Sequence, residues 1–225
     1  MKSACGRSQT VHRFAKFGHN VRMPNAFRHG DHVCSIHETE EEQLTAAAAF
    51  IADGIGRGER GLYVAESGDT IRRLRDALGA TGLDAGALAA RGALIELTYA
   101  QAYLEGDRFD MERMLRLVSG AIAEALADGF SGLRACGDMA WLLSGAPGCE
   151  QAGEYEARLN RVITGARACV LCQYNRKKLA PCAIDMALTT HPTAVVEGQL
   201  KFNPFFQVVP PGSDPGSGTD LATGR

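Results

Sequence analysis

A chain of 225 residues, 45% hydrophobic and 22% charged, can bury the core of one domain and has the composition of an ordinary globular protein. Its formal net charge of -2 leaves no electrostatic footprint for nucleic acid or an anionic membrane. No apolar run reaches the roughly 18 residues of a spanning helix, and no apolar segment of signal-peptide type follows the basic start. A cytoplasmic protein is therefore expected, its seven cysteines reduced and mostly packed as small hydrophobes.

Residues 1–29 are rich in Arg, Lys and His without an apolar period and read as a flexible basic leader. Order is expected from Gly30. His32 to His37 reads as a strand, and Thr39 with Glu42 three residues on forms a capping box for a helix to about Ile55. Gly61 to Glu66 is a second, near-continuously apolar strand, as expected where both faces of a sheet are covered. A helix carrying Ile71, Leu74 and Leu78 follows, then a short helical piece over 84–90 and a third strand, Ala93 to Leu97. The 98–109 stretch reads as a loop whose Tyr99 and Tyr103 pack on the surface or face a ligand. Asp110 caps a long helix to Asp128. The stretch GFSGLRACGDMAWLL then gives a buried strand, Gly132 to Cys136, a turn at Gly137-Asp138, and a helix start with the single Trp. An amphipathic helix over 150–163, a fifth strand over 168–174, a helix opened by Pro181 and a terminal hairpin complete the order. Residues 207–225 are rich in Pro, Gly and Ser and read as a disordered tail. Strands alternating with helices imply an α/β fold: three layers, a mostly parallel sheet with helices on both faces.

In such a sheet, ligands sit beyond the carboxyl ends of the strands. That places His37, Glu38, Glu66, Asp138, Met139, Trp141, Tyr174 and Arg176 around one mouth, with His191 in a loop able to close it or simply to fix a turn. One carboxylate beside a soft apolar chain and a large aromatic suits a small, mostly apolar pocket. Core packing for Trp141 and capping for Asp138 are the plainer alternatives. The first strand-to-helix turn, His37-Glu38-Thr39-Glu40-Glu41-Glu42, has neither the glycines nor the lysine of a phosphate-binding loop, and its carboxylates repel polyphosphate. His29, His32, Cys34 and His37 have some metal-binding character, and His32 and Cys34 share a strand face, yet no partner set with firm spacing completes a site. Cys169 and Cys172, three apart on a strand, point to opposite faces and make no thiol pair. One carboxylate of Glu154 and Glu156 is a candidate for the pocket, with Glu154 and Arg158 spaced as a surface pair. No catalytic set and no metal or cofactor site is assigned from the sequence.

The blocks GDHVCSIHETEEE, ERGLYVAE, AYLEGDRFDMERML, GFSGLRACGDMAWLL, EYEARLN, CVLCQYNRKKL and THPTAVVEGQLKFNPFF occur in order over residues 30 to 206. Together they resemble the MEDS domain, the sensory domain named for methanogens, methylotrophs and the dichloromethane-responsive regulator. The resemblance implies a RecA/KaiC-like P-loop-type fold lacking the Walker A loop, and a sensor of small hydrocarbon-like or halogenated compounds. It also implies a histidine kinase, anti-sigma factor or DNA-binding regulator as partner, with a homodimer compatible. No stretch of the chain reads as such an output domain, so a separate sensor that passes its state to a partner is the expectation. The alternatives are a diverged NTPase, with Asp138 or Glu66 holding magnesium, and a ligand-independent interaction module.

Overall fold

The computed structural model describes residues 27–196 and 199–208. Seven strands form one sheet: β1 (His32–His37), β2 (Arg60–Ala65), β3 (Leu94–Thr98), β4 (Leu133–Asp138), β5 (Ala168–Asn175), β6 (Thr193–Val196) and β7 (Gln199–Phe202). Their spatial order is β3-β2-β4-β5-β1-β6-β7. All neighbours are parallel except the β6/β7 hairpin at one edge. The helices are α1 (Glu40–Gly56), α2 (Gly68–Ala80), α3 (Ala85–Ala90), α4 (Met111–Ala127), α5 (Ala152–Ile163) and α6 (Pro181–Thr190). The sheet separates two apolar clusters. One gathers Leu44, Phe50, Ile51, Leu74, Leu78 and Leu88 from α1, α2 and α3. The other gathers Met114, Val118, Tyr155, Leu159, Ile184 and Leu188 from α4, α5 and α6. This is the three-layer α/β arrangement that the alternating pattern implies. No helix of the described residues is long and apolar enough to cross a membrane.

Local chemistry explains the well-read elements. Thr39 Oγ1 accepts from the Glu42 amide at 3.1 Å, and Glu42 Oε2 accepts from the amides of Thr39 at 3.3 Å and Glu38 at 2.9 Å. This is the expected capping box. Asp110 caps α4 through the Arg113 amide at 2.9 Å.

Three sequence expectations are corrected. β4 does not turn at Gly137-Asp138: both stay in the ladder, opposite Cys172 and Gln173, because β5 runs alongside them. A Cβ on Gly137 would lie 2.2 Å from Tyr103 Oη, so only glycine lets that ring approach the strand. The 98–109 stretch packs inward, with Tyr99, Tyr103 and Phe109 all buried. Order also begins before Gly30: Phe27 is buried and meets Phe50 edge-on at 4.9 Å. The remainder of the expected leader, and the tail beyond residue 208, lie outside the described residues.

A buried cation, missed by sequence reasoning, braces the face covered by α1. Arg134 is fully buried, held by Glu59 at 2.6 and 3.1 Å and by Asp53 at 3.5 Å, with its guanidinium 4.8 Å from the Phe50 ring centre. Gly54 makes room for it, since a Cβ there would sit 2.6 Å from the arginine side chain.

Candidate functional site

The carboxyl ends of the strands form a mouth, but a tight and charged one. Its cavity is about 20 Å³, room for a single water. Glu40, Gln43, Tyr63, Glu66, Asp138 and Lys178 are among its lining residues. Glu40 bridges Lys178 and Arg73, and these two cations hold its carboxyl down at about 2. Asp138 Oδ1 accepts from the Ala140 amide at 3.0 Å, so its capping role is real. His37 is buried, with Nε2 at 3.3 Å from the Gln173 amide nitrogen; burial pushes its pKa down to about 4 against the pull of Glu42. Glu38 stands at the rim, 3.6 Å from Lys177, and the Arg176 amide donates to the His37 carbonyl at 2.9 Å.

The apolar half of the expected pocket is not at this mouth. Met139 and Trp141 are buried, and the indole stacks on Tyr103 at 4.9 Å and on Phe109 at 4.5 Å. Both follow the end of β4, but their side chains turn inward to make core. Tyr174 and His191 are also buried, at a different place.

That place is a polar cluster inside the layer covered by α5 and α6. His32 on β1, Cys172 on β5, Glu156 on α5 and His191 after α6 bring four donor atoms within 4.8 Å of one another, all buried. Glu156 Oε2 lies 3.2 Å from His32 Nε2 and 3.3 Å from His191 Nε2. Cys172 Sγ lies 3.5 Å from His32 Nε2 and 3.6 Å from Glu156 Oε2. The imidazoles stack obliquely, 4.1 Å between centres, and Tyr174 meets His191 edge-on. Burial alone would raise the Glu156 pKa, but its contacts with His191 and His32 outweigh this and hold it at about 2. Burial, then the neighbouring His32, pushes His191 down.

The far ring nitrogens are pinned. His191 Nδ1 lies 2.8 Å from the Ala187 carbonyl, which can only accept, so this nitrogen carries the proton. Asn160 Nδ2 donates to the Thr190 carbonyl at 2.7 Å, which turns Oδ1 toward His32 Nδ1 at 3.0 Å and makes that nitrogen a donor too. Cys34 does not join the cluster as its shared face with His32 allowed: its Sγ points to the Thr193 carbonyl at 3.8 Å, and burial, then Glu156, pushes its thiol up to about 12. Cys169 lies in the opposite apolar cluster, as the strand period requires.

Asn160 also lines a cleft beside α5. Its volume is about 400 Å³; Ala157, Phe206 and Val208 are its apolar lining, and Arg161, Thr164 and Gln207 join Asn160 as its polar lining.

The order of strands, the two helical layers and an α1 start sealed by its own carboxylate define an α/β domain of RecA-like architecture without a phosphate-gripping turn. A KaiC-like protein from the hyperthermophilic archaeon Pyrococcus horikoshii shares this fold with a TM-score of 0.53 over 75% of this chain and 73% of that one, at 18% identity. The chain belongs to the MEDS family, the methanogen/methylotroph, DcmR sensory domain, whose model matches residues 31–192. No curated protein matches.

Sequence reasoning named His191, and weighed His32 and a Glu154 or Glu156 carboxylate, without joining them. A signal for Glu156 existed: it shares a helical stripe with Leu159 and Ile163, so its carboxylate points where apolar neighbours are buried.

Proposed function

We propose that this chain is a sensory module that takes a small, mostly apolar organic molecule into the cleft beside α5 and passes its occupancy to a partner regulator, and that it does not hydrolyse nucleotides. The observation that carries this reading is Asn160, which lines the cleft and also hydrogen-bonds to His32 and to the Thr190 carbonyl at the end of α6. A guest that moves this amide changes the packing of α5 against α6 and β1. A partner of histidine-kinase, anti-sigma-factor or DNA-binding-regulator type would read that change. The guest can bias the equilibrium only through unequal affinity for the two states.

Size sets the affinity. At a ceiling of about -1.5 kcal/mol per heavy atom, a three-atom guest gains at most roughly -4.5 kcal/mol, which is binding near the millimolar range. A cleft of about 400 Å³ suits a larger guest better. Against nucleotide stand the Glu38, Thr39 and Glu42 amides, already bonded to the chain's own oxygens.

Dichloromethane and chlorobenzene are suitable probes, titrated into the full chain and followed by amide chemical shifts. Saturable shifts at Ala157, Asn160 and Thr164, tighter for chlorobenzene, are expected. Shifts that never saturate, or that cluster only at Glu66 and Asp138, would overturn the cleft assignment. Stabilisation and hydrolysis by Mg-ATP, lost in Asp138→Asn, would overturn the non-enzymatic reading.

A further inference from the structure

We propose that His32, Glu156, Cys172 and His191 hold one divalent transition-metal ion of the zinc class in a closed tetrahedral site. The inference stands on the donor geometry and does not depend on the small-molecule reading.

Spacing comes first. Ligands about 2.0–2.1 Å (N and O) and 2.3 Å (S) from a tetrahedral zinc lie about 3.3 Å apart when both are N or O, and about 3.5 Å apart when one is sulfur. The nitrogen-to-carboxylate separations here are 3.2 and 3.3 Å, and those involving sulfur are 3.5 and 3.6 Å. Four of the six edges thus have the lengths of one coordination tetrahedron, and the other two, from His191 Nε2 to His32 Nε2 and to Cys172 Sγ, lie within 4.8 Å.

Proton placement comes second. Both imidazoles spend their Nδ1 hydrogen outward, His191 on the Ala187 carbonyl and His32 on Asn160 Oδ1. In the neutral rings, the form that binds a metal, the Nε2 lone pairs then converge on a carboxylate, itself a lone-pair donor. His191 Nε2 is buried with no hydrogen-bond partner. A cation among His32 Nε2, His191 Nε2 and Glu156 Oε2 gives all three a common partner, which the one thiol proton of Cys172 cannot. Outward donation from a ligating histidine to a carbonyl or amide oxygen is also how such ligands are usually oriented.

Charge comes third. Metal uptake releases the Cys172 thiol proton to solvent, leaving one thiolate, one carboxylate and two neutral imidazoles. A divalent ion makes the sum zero, which a site with all four side chains buried requires. Thiolate with imidazole selects zinc-type ions over magnesium or calcium. The bound ion would tie β1, β5, α5 and the α6–β6 junction together.

Cobalt(II) added to the chelator-stripped full chain tests this. A tetrahedral visible spectrum with a thiolate-to-cobalt charge-transfer band is expected, along with displacement of cobalt by zinc and a rise in Tm with either ion. Cys172→Ser should lose the charge-transfer band. Cys169→Ser, on the same strand and opposite face, should keep it. A wild-type protein that binds neither ion stoichiometrically, or a band retained in Cys172→Ser and lost in Cys169→Ser, would overturn the proposal. The wild-type spectrum decides the matter even where a variant fails to fold.

Discussion

Asn160→Ala is the most informative single change, because the residue faces both the cleft and the buried cluster. The substitution strips the partner from His32 Nδ1 at 3.0 Å and from the Thr190 carbonyl at 2.7 Å. Each such group left dry costs about 1–3 kcal/mol. Asn160 is only half-buried and lines an open cleft, so water reaches part of the gap and the lower end applies. The expected loss is about 2 kcal/mol, read as a lower urea midpoint with an unchanged m-value. The variant should also weaken zinc binding about 10- to 100-fold, the usual effect of losing a hydrogen bond that orients a ligating histidine. An unchanged midpoint together with unchanged zinc affinity would refute the idea that this amide links cleft and cluster.

Glu59→Gln removes the main counter-charge of the buried Arg134 and should cost about 3 kcal/mol, the low end for a broken buried pair, because Asp53 remains 3.5 Å away; a loss well below 1 kcal/mol in a denaturant titration would count against it. Trp141→Ala removes an indole stacked on Tyr103 and Phe109 and should cost about 3–5 kcal/mol, leaving chlorobenzene shifts at α5 in place; loss of those shifts in a folded variant would return the binding site to the indole. His37 has a pKa lowered from 6.5 to about 4. The unfolded chain therefore takes up a proton first as pH falls, so stability is full above 6.5 and declines toward 4, by about 3 kcal/mol in all. The urea midpoint of His37→Gln should fall less steeply than wild type across that window, and parallel curves would contradict this.

The legible parts of the fold were those written locally. The capping box at Thr39 and Glu42, the apolar strands and the opposed faces of Cys169 and Cys172 depend on residues a few positions apart, and periodicity exposes them. Trp141 shows the limit. Its place after a strand was readable, but whether it lined a pocket depended on Tyr103 and Phe109, which arrive from another segment. The cluster was harder still. His32 was noticed as a ligand type without partners, because its partners lie on β5, on α5 and beyond α6. Arg134 sits in an otherwise apolar strand and owes its acceptability to Glu59 and to the missing side chain of Gly54, a pairing no local pattern announces.

Among the described residues His32 opens β1 and His191 follows α6, so the cluster draws on almost the whole domain. A chain emerging from the ribosome makes β1 early yet lacks the closing imidazole until nearly all of the domain is synthesised. Until then, Glu156 has only part of the company that its interior position demands. Completion of this one knot is therefore a late event in the making of the domain.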